Sequence, residues 1–184
     1  MSPSLLLDAL DSVFQMVAEW GVSPVVAGGL AVSYWGHPRS TRDIDLAILV
    51  TNIDSFESRL RESGLVPSKE RHIAQLGFVQ VSQWRMALRD ALLDIDIDFL
   101  ISASPYHASA IQRAQECRIP GTRSTMRVLT CEDLLLFKAM SGRMIDLADI
   151  EVLLELQRGQ LNLDYLQTKS QEIGLGSSRW NDPS

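Results

Sequence analysis

Apolar and polar positions divide the N-terminal half of the chain into helix-like and strand-like segments. Apolar residues recur every three or four positions over 5–17, which predicts an amphipathic helix that ends near Gly21. The run SPVVAGG, rich in valine, predicts a short strand that ends at two glycines. Residues 42–50 (RDIDLAILV) and 92–102 (LLDIDIDFLIS) contain alternating polar and apolar positions, which are typical of strands. The pattern therefore predicts strands that are connected through helices.

Shorter patterns fill the middle of the chain. Residues 54–63 (DSFESRLRES) predict a second amphipathic helix, and Ser104-Pro105 is a favourable helix start. The runs FVQVSQW and TMRVLT have the composition of strands. These segments add both helices and strands to the predicted sheet.

The last third of the chain predicts helices only. Thr130 and Asp133 have the spacing of a capping box, which predicts that a helix starts there. Gly142 ends this helix, and two more are predicted, one directly after it and one over 162–173. The tail that follows contains two glycines, three serines and a proline, which is typical of a flexible segment.

The whole pattern predicts an α/β (α+β) fold, in which helices flank a mixed sheet. We expect residues 1–129 to form the core of the protein. Residues 130–173 are expected to form a small helical subdomain that packs on this core, and residues 174–184 a flexible tail. The order of strands first and helices afterwards is the basis of this division.

The composition indicates one globular unit without a membrane anchor. The chain has 184 residues, of which 46% are apolar, and this is enough to bury one core. Its formal net charge of -6 disfavours a surface built throughout to hold nucleic acid, although a local basic groove stays open. No segment approaches the ~20 uninterrupted apolar residues that a membrane span needs. We therefore expect a cytoplasmic protein with no membrane association.

Acidic residues repeat at every second position in two of the predicted strands. Asp43 and Asp45 share one strand face, about 7 Å apart, and Asp94, Asp96 and Asp98 repeat the arrangement. If the two strands are neighbours, the crowded carboxylates need compensation, which divalent cations such as Mg²⁺ provide. Two such ions can hold the attacking and leaving oxygens of a phosphoryl transfer. The alternative is that these acids line a solvated strand edge.

Two glycines follow the first short strand directly. Gly28 and Gly29 would allow the backbone to approach a phosphate group closely. An ordinary tight turn between a strand and a helix is the alternative. The motifs GxGxxG and GxxxxGK[ST] are absent, so the glycines predict neither a dinucleotide fold nor a P-loop.

Taken together, these residues resemble a known family. The segment AGGLAVSYWGHPRSTRDIDLAI is similar to the signature of the polymerase-β-like nucleotidyltransferases, in which two small residues precede an Asp-x-Asp. The segment RSTRDIDL is especially similar to sequences of the bacterial branch of abortive-infection-type (AbiEii-like) toxins and small nucleotidyltransferases. A second block, LTCEDLLLFKAMSGRMIDLADI, resembles that branch in Lys138, Arg143, Asp146 and Asp149. The resemblance extends from about Val25 to Leu154.

The resemblance implies a set of metal ligands. Asp43 and Asp45 would bind two Mg²⁺ ions, for which Mn²⁺ is a candidate substitute. Asp98 would be the third acid, a metal ligand and the general base on the acceptor hydroxyl, with Asp96 as the alternative. All three catalytic positions would then be carboxylates.

The resemblance also implies how the nucleotide binds. Phosphate groups would contact residues of the glycine turn, of the loop before the acids and of a later helix, namely Gly28, Gly29, Ser40, Thr41, Arg42 and Lys138. For Lys138 the alternative is an apolar stem along the helix with its charge at the surface. Arg143 and Asp146, three residues apart, would also be explained by an ordinary ion pair within a helix.

The implied activity is a Mg²⁺-dependent transfer of a nucleoside monophosphate from an NTP to an acceptor hydroxyl, with release of pyrophosphate. The acceptor stays open among a tRNA end, a protein hydroxyl and a small molecule, and an antitoxin is a candidate partner. A metal-dependent phosphohydrolase or nuclease would use the same acids. A nucleotide-binding or partner-binding module without turnover is the non-enzymatic alternative.

Overall fold

The computed structural model describes residues 3–68, 70, 72–76, 78–90, 93–176 and 180. Within these ranges the helices are α1 (Pro3–Glu19), α2 (Gly28–Tyr34), α3 (Ile53–Glu62), α4 (Pro105–Arg113), α5 (Cys131–Ser141), α6 (Met144–Leu156) and α7 (Leu163–Glu172). The strands are β1 (Val25–Val26), β2 (Asp43–Ile48), β3 (Leu65–Pro67), β4 (His72–Leu76), β5 (Val79–Asp90), β6 (Leu93–Ile101), β7 (Gln115–Cys117) and β8 (Met126–Val128). Among the described helices, none is both long and apolar enough to cross a bilayer.

All of these strands belong to one mixed sheet. Its order is β3-β5-β6-β2-β1-β8-β7, and β4 pairs with β5 beside this path. The pairs β2–β6 and β1–β8 are parallel, whereas the other neighbours are antiparallel. The predicted α/β class with a mixed sheet is confirmed.

The two central strands have one apolar face and one polar face. Ile44 on β2 and Ile97 on β6 are opposite each other and fully buried. On the same side, Phe99 contacts the ring of Phe56 on α3 edge to face, with ring centres 5.5 Å apart, and Phe56 also stacks on Trp84 of β5. Because side chains alternate along a strand, this burial directs the aspartates to the other face.

A buried carboxylate connects the helices that follow the sheet. Asp133 on α5 is fully buried and accepts hydrogen bonds from the hydroxyl of Thr130 at 2.9 Å and from Arg113 of α4 at 2.7 Å. The hydroxyls of Tyr106 and of Tyr165 on α7 donate to the same carboxylate. The backbone N–H of Asp133 donates to Thr130 Oγ1, so the predicted helix cap is present. One side chain thus joins α4, α5 and α7.

The predicted flexible tail, residues 174–184, is described only in part. Residues 177–179 and 181–184 lie outside the described residues. Trp180 is 1% exposed, and its indole N–H donates to the hydroxyl of Ser170 on α7. This residue therefore contributes to the core of the protein.

Candidate active site

The parallel pairing of β2 and β6 brings the two acidic runs together. Asp45 is directly opposite Asp98, and Asp43 is directly opposite Asp96. Neighbouring strands lie about 4.8 Å apart, so these four side chains form two adjacent rows on one side of the sheet. We call this side the acid face. It contains Asp43 and Asp45 of the Asp-x-Asp motif, together with Asp98 and Asp96, the two candidates for the third acid.

Gly28 is required by the position of Asp45. Its φ angle is 55°, and a Cβ atom at this position would lie 1.7 Å from Asp45 Oδ2. The backbone N–H of Ala27 donates to the carbonyl oxygen of Asp45 at 2.9 Å, which fixes the two segments side by side. The first glycine therefore makes space for a carboxylate, an interaction that the sequence does not reveal.

Asp45 has an unusual proton affinity. Burial raises the pKa of Asp45, the carboxylates of Asp43 and Asp98 raise it further, and the result is about 7. The positive charges of Arg143 and Lys138 offset this only in part. Near neutral pH the ionised carboxylate is therefore costly, and a divalent cation would relieve that cost.

Asp43 is oriented by the loop that precedes it. The hydroxyl of Thr41 donates to Asp43 Oδ1 at 2.8 Å. A Cβ atom on Gly29 would lie 2.9 Å from the Thr41 side chain and 3.0 Å from the guanidinium of Arg39, so the second glycine lets this loop pack on α2. The glycine pair thus positions both acids of the Asp-x-Asp motif.

Asp98 is held by two residues of β5. It is 1% exposed, and Arg85 donates to both of its oxygens, from Nε at 2.8 Å and from Nη2 at 2.5 Å. Gln83 donates to Asp98 Oδ2 at 2.8 Å. The same guanidinium lies 3.9 Å from Asp43 and 3.7 Å from Asp96. Sequence analysis missed Arg85, although Gln83 and Arg85 share a strand face in FVQVSQWR.

The acids fit a divalent cation in part. Asp43 and Asp45 present oxygens that no basic side chain of the described chain holds at hydrogen-bond distance. The oxygens of Asp98 are occupied by Arg85. In the part of the chain that the structure describes, no group of three or more acidic, histidine or cysteine side chains could hold a metal ion. Metal binding by Asp43 and Asp45, like the role of Asp98 as a ligand and general base, therefore stays a prediction.

Lys138 lies in a buried ionic network between α5 and α6. Its ammonium group donates to Asp146 at 2.9 Å and to Asp149 at 2.7 Å. Arg143 donates to Asp146 at 2.6 Å, and Arg39 lies 3.4 Å from Asp149. Burial raises the pKa of Asp146, but the hydrogen bonds from Arg143 and Lys138 outweigh this effect and keep the pKa below its ordinary value. Two of the three ammonium hydrogens of Lys138 are thus already used.

Of the predicted nucleotide-binding residues, all except Gly29 line one of two separate cavities. Gly28 and Lys138, together with Asp45, line a cavity of about 300 Å³ whose other walls are mostly apolar side chains of β4, β5 and α5. The loop residues Ser40, Thr41 and Arg42 line a larger cavity of about 610 Å³ between α1, α2 and residues 118–120. The smaller cavity is the one next to the uncompensated carboxylate.

Solved structures with the same fold have low sequence identity to this chain. The antibiotic-resistance factor ANT(2'')-Ia is 13% identical with a TM-score of 0.59, and the match covers 94% of this chain and 94% of that one. An antigenic nucleotidyltransferase-like protein from Paracoccidioides brasiliensis is 18% identical (TM-score 0.53; 94% and 90% covered). The lincosamide antibiotic adenylyltransferase LnuA, with lincomycin bound, is 14% identical (TM-score 0.51; 85% and 98% covered). At these identities the similarity establishes the fold.

The family is established by a sequence model. No match was found among the curated proteins. The model of the family described as "nucleotidyl transferase of unknown function" (DUF2204) matches residues 6–174. This range contains the glycine turn, all acids of the acid face and the Lys138 network. Since the match extends over nearly the whole chain, the protein belongs to this nucleotidyl transferase family.

Proposed function

We propose that the protein transfers a nucleoside monophosphate from an NTP to an acceptor hydroxyl and releases pyrophosphate. The observation that carries this proposal is the carboxylate of Asp45, which is costly to ionise, lies against Gly28 and borders a cavity. Membership of the nucleotidyl transferase family supports the general class of reaction. The acid pair, the glycines and the cavity are the parts that such a transfer requires.

A divalent cation, Mg²⁺ or Mn²⁺, would be held by Asp43 and Asp45. When bound, it would neutralise phosphate charge during the transfer. The cavity of about 300 Å³ has apolar walls for the base or sugar and a polar end at Asp45 and Lys138. The remaining ammonium hydrogen of Lys138 would donate to a phosphate oxygen. Both glycines would keep the turn beside the phosphates free of side chains.

The loop residues would act from the other side of the acid pair. Ser40, Thr41 and Arg42 line the larger cavity, and Thr41 connects it to Asp43 through its hydrogen bond. In this proposal Arg42 and the hydroxyl of Ser40 contact phosphate oxygens that extend past Asp43, while Thr41 keeps the carboxylate of Asp43 in its orientation. The chain thereby orients the triphosphate across the acid pair.

The reaction is an in-line displacement at the α-phosphorus. The acceptor oxygen forms a bond to this phosphorus, while the bond to the bridging oxygen breaks and its electron pair leaves with pyrophosphate. The hydroxyl proton is released to the solvent. Such a transfer depends mainly on positioning and on stabilisation of charge, and it needs no covalent intermediate on the protein.

We propose that the acceptor contacts only a small area of the protein surface. It is either a small molecule or a protein hydroxyl, with an RNA end as the third possibility. Residues 113–127 contain four arginines that could form a basic stripe, and several of them have partners within the chain. Arg113 binds Asp133, Arg123 lies 3.6 Å from Asp11, and Arg127 donates to carbonyl groups at the end of α4. Part of the positive charge of this stretch is therefore already neutralised within the described chain, which disfavours a long nucleic-acid contact. ANT(2'')-Ia is an antibiotic-resistance factor and LnuA an antibiotic adenylyltransferase, which supports testing small molecules first.

We also infer, from the RSTRDIDL segment, a relationship to the abortive-infection-type branch. An antitoxin is then the expected partner and the cytoplasm the expected location. Co-expression with neighbouring genes and recovery of a complex would test this part. A chain that is tolerated by its host at high expression would contradict a toxic role.

The central experiment uses each labelled NTP with Mg²⁺ and pools of small molecules, proteins or RNA. We expect label transfer and pyrophosphate release by the wild type, and loss of both in Asp43→Ala and Asp45→Ala. Asp164→Ala, an exposed acid on α7, is the control and should retain activity. Release of inorganic phosphate without pyrophosphate would instead indicate a hydrolase. Nucleotide binding without any product would indicate a binding module.

A further inference from the structure

We propose that Arg85 takes the place of a second metal ion, so that the site works with one divalent cation held by Asp43 and Asp45. This inference rests on the proposed function, because it assigns the charges of that same site. It makes Arg85 a positioning residue, and it removes Asp98 from the set of metal ligands.

Charged side chains follow one another in a fixed order across the neighbouring strands β5, β6 and β2. Arg85 on β5 is directly opposite Asp98 on β6, and Asp98 is directly opposite Asp45 on β2. The sheet therefore places a cation, an anion and a second anion in one row, with Gly28 at its end. The cation of this row belongs to the chain itself. A second metal ion would have to enter beside a positive charge that is already fixed.

Both carboxylate oxygens of Asp98 are already bound within the chain and are not available to a metal ion. Arg85 binds both of its oxygens in the bidentate geometry that suits a guanidinium and a carboxylate, and Gln83 adds a third hydrogen bond. Asp98 is almost fully buried. Coordination of a metal would break this pair and leave the guanidinium without its main partner. Such an exchange is unfavourable for groups that are shielded from water.

The guanidinium of Arg85 also lies close to other acids of the acid face. Besides Asp98, it lies within 4 Å of Asp43 and Asp96, and its side chain is 21% exposed. It therefore lies beside one of the proposed metal ligands and not in a remote core. A fixed cation at this position can hold Asp43 in its orientation and offset part of the negative charge of the acid face. A purely structural ion pair would not need to contact Asp43.

The test is the magnetic coupling of bound Mn²⁺. Two Mn²⁺ ions about 4 Å apart, the separation in two-metal sites, are magnetically coupled, whereas one ion gives the spectrum of an isolated centre. The wild type is titrated with Mn²⁺ in the presence of a non-hydrolysable NTP analogue. We expect an isolated centre in the wild type and a coupled pair in Arg85→Ala, because Asp98 becomes available. A coupled pair in the wild type, or no coupling in Arg85→Ala, would overturn the proposal.

Two further variants keep the test valid if Arg85→Ala folds poorly. Asp98→Asn should leave the Kd for Mn²⁺ within about twofold of the wild type, while Asp45→Asn should weaken Mn²⁺ binding at least about tenfold. Equal weakening by both variants would make Asp98 a ligand and refute the inference. Arg85→Lys retains the positive charge and should keep the isolated centre. A coupled Mn²⁺ pair in Arg85→Lys would refute the charge argument.

These readouts do not require turnover. An isolated Mn²⁺ centre in a protein that never transfers a nucleotide would support the inference and contradict the proposed activity. Transfer activity together with a coupled pair in the wild type would do the opposite. The two proposals can therefore fail separately.

Discussion

Asp45 and Asp98 are direct cross-strand partners on parallel strands, yet their carboxylates are in opposite electrostatic situations. Asp98 is bound by Arg85 and Gln83, whereas Asp45 lies against Gly28 and is destabilised by its neighbours. Like charges opposite each other weaken a sheet unless something compensates them. The fold compensates the carboxylate of Asp98 with the guanidinium of Arg85, whereas the carboxylate of Asp45 is costly to ionise.

The first prediction concerns pH and the metal-free protein. The pKa of Asp45 is about 7 in the folded chain and near 3.8 in the unfolded chain, so unfolding releases a proton between these values. The free energy of unfolding should then fall as the pH rises from 4 to 7. In EDTA at pH 8, Asp45→Asn should be more stable than the wild type, on the order of 1–3 kcal/mol. Urea unfolding at pH 5 and pH 8 measures this difference, which should shrink at the lower pH.

The matched control is Asp164→Asn, which changes an exposed acid. Its effect on unfolding should be small and independent of pH. Mn²⁺ binding by the wild type should weaken below pH 7, since the proton competes with the metal for Asp45. Equal stability of Asp45→Asn and the wild type at pH 8 would contradict the assignment.

The second prediction concerns the first glycine. In Gly28→Ala the new methyl group would displace the carboxylate of Asp45 and also strain a backbone with φ of 55°. Gly159→Ala is the control, because φ is 76° there and nothing lies within 4 Å of an added Cβ. The control should lose only about 1 kcal/mol of stability and keep its metal affinity. Gly28→Ala should lose metal binding and nucleotide transfer, which calorimetry and the transfer assay would detect.

The third prediction concerns the buried carboxylate that joins three helices. Asp133→Ala removes the shared partner of Arg113, Tyr106 and Tyr165, and leaves the guanidinium without its carboxylate. The loss should be about 3–5 kcal/mol in the free energy of unfolding, measured with urea. Glu151→Ala, an exposed acid on α6, should change stability by less than about 0.5 kcal/mol. A small effect of Asp133→Ala would show that water replaces these contacts readily.

The fourth prediction concerns acid sensitivity. His107 is buried, and its Nε2 lies 3.1 Å from the carbonyl oxygen of Ile48. Burial lowers the pKa of His107, and the hydrogen bond to Ile48 offsets this only in part. The unfolded chain therefore binds a proton more readily, so stability should fall as the pH drops below about 6.5. His107→Gln should flatten the thermal stability profile between pH 7 and pH 5, whereas His72→Gln, at an exposed position, should not.

The sequence predicts those features that follow from exact periodicity or local capping. Side chains on a strand alternate strictly, so Asp43 and Asp45 could be assigned to one face of their strand, and Asp96 and Asp98 to one face of theirs, before the pairing was known. The cap at Thr130 is equally local, since donor and acceptor are three residues apart. For the same reason the predicted helix start at Ser104 agrees with α4.

The features that sequence could not provide depend on pairing between distant strands and helices. Arg85 reaches Asp98 only because β5 and β6 are antiparallel with this particular register. Arg113 is one of four arginines between residues 113 and 127 of the sequence, but its position opposite Asp133 makes it the half-buried partner of a buried carboxylate. The division of the loop residues and Lys138 between two cavities likewise depends on how α1, α2 and α5 pack on the sheet.

The alternation along β2 and β6 has a consequence for how the site is maintained. Ile44 and Ile97 are fully buried on the face opposite the acids. A slip of β2 against β6 by one residue would turn Ile44 away from the core and force Asp43 and Asp45 towards the interior. The hydrophobic core therefore disfavours a misaligned pairing of β2 and β6, independently of any substrate. Apolar side chains on the opposite side of the sheet, which do not contact the acid face, therefore keep its carboxylates in alignment.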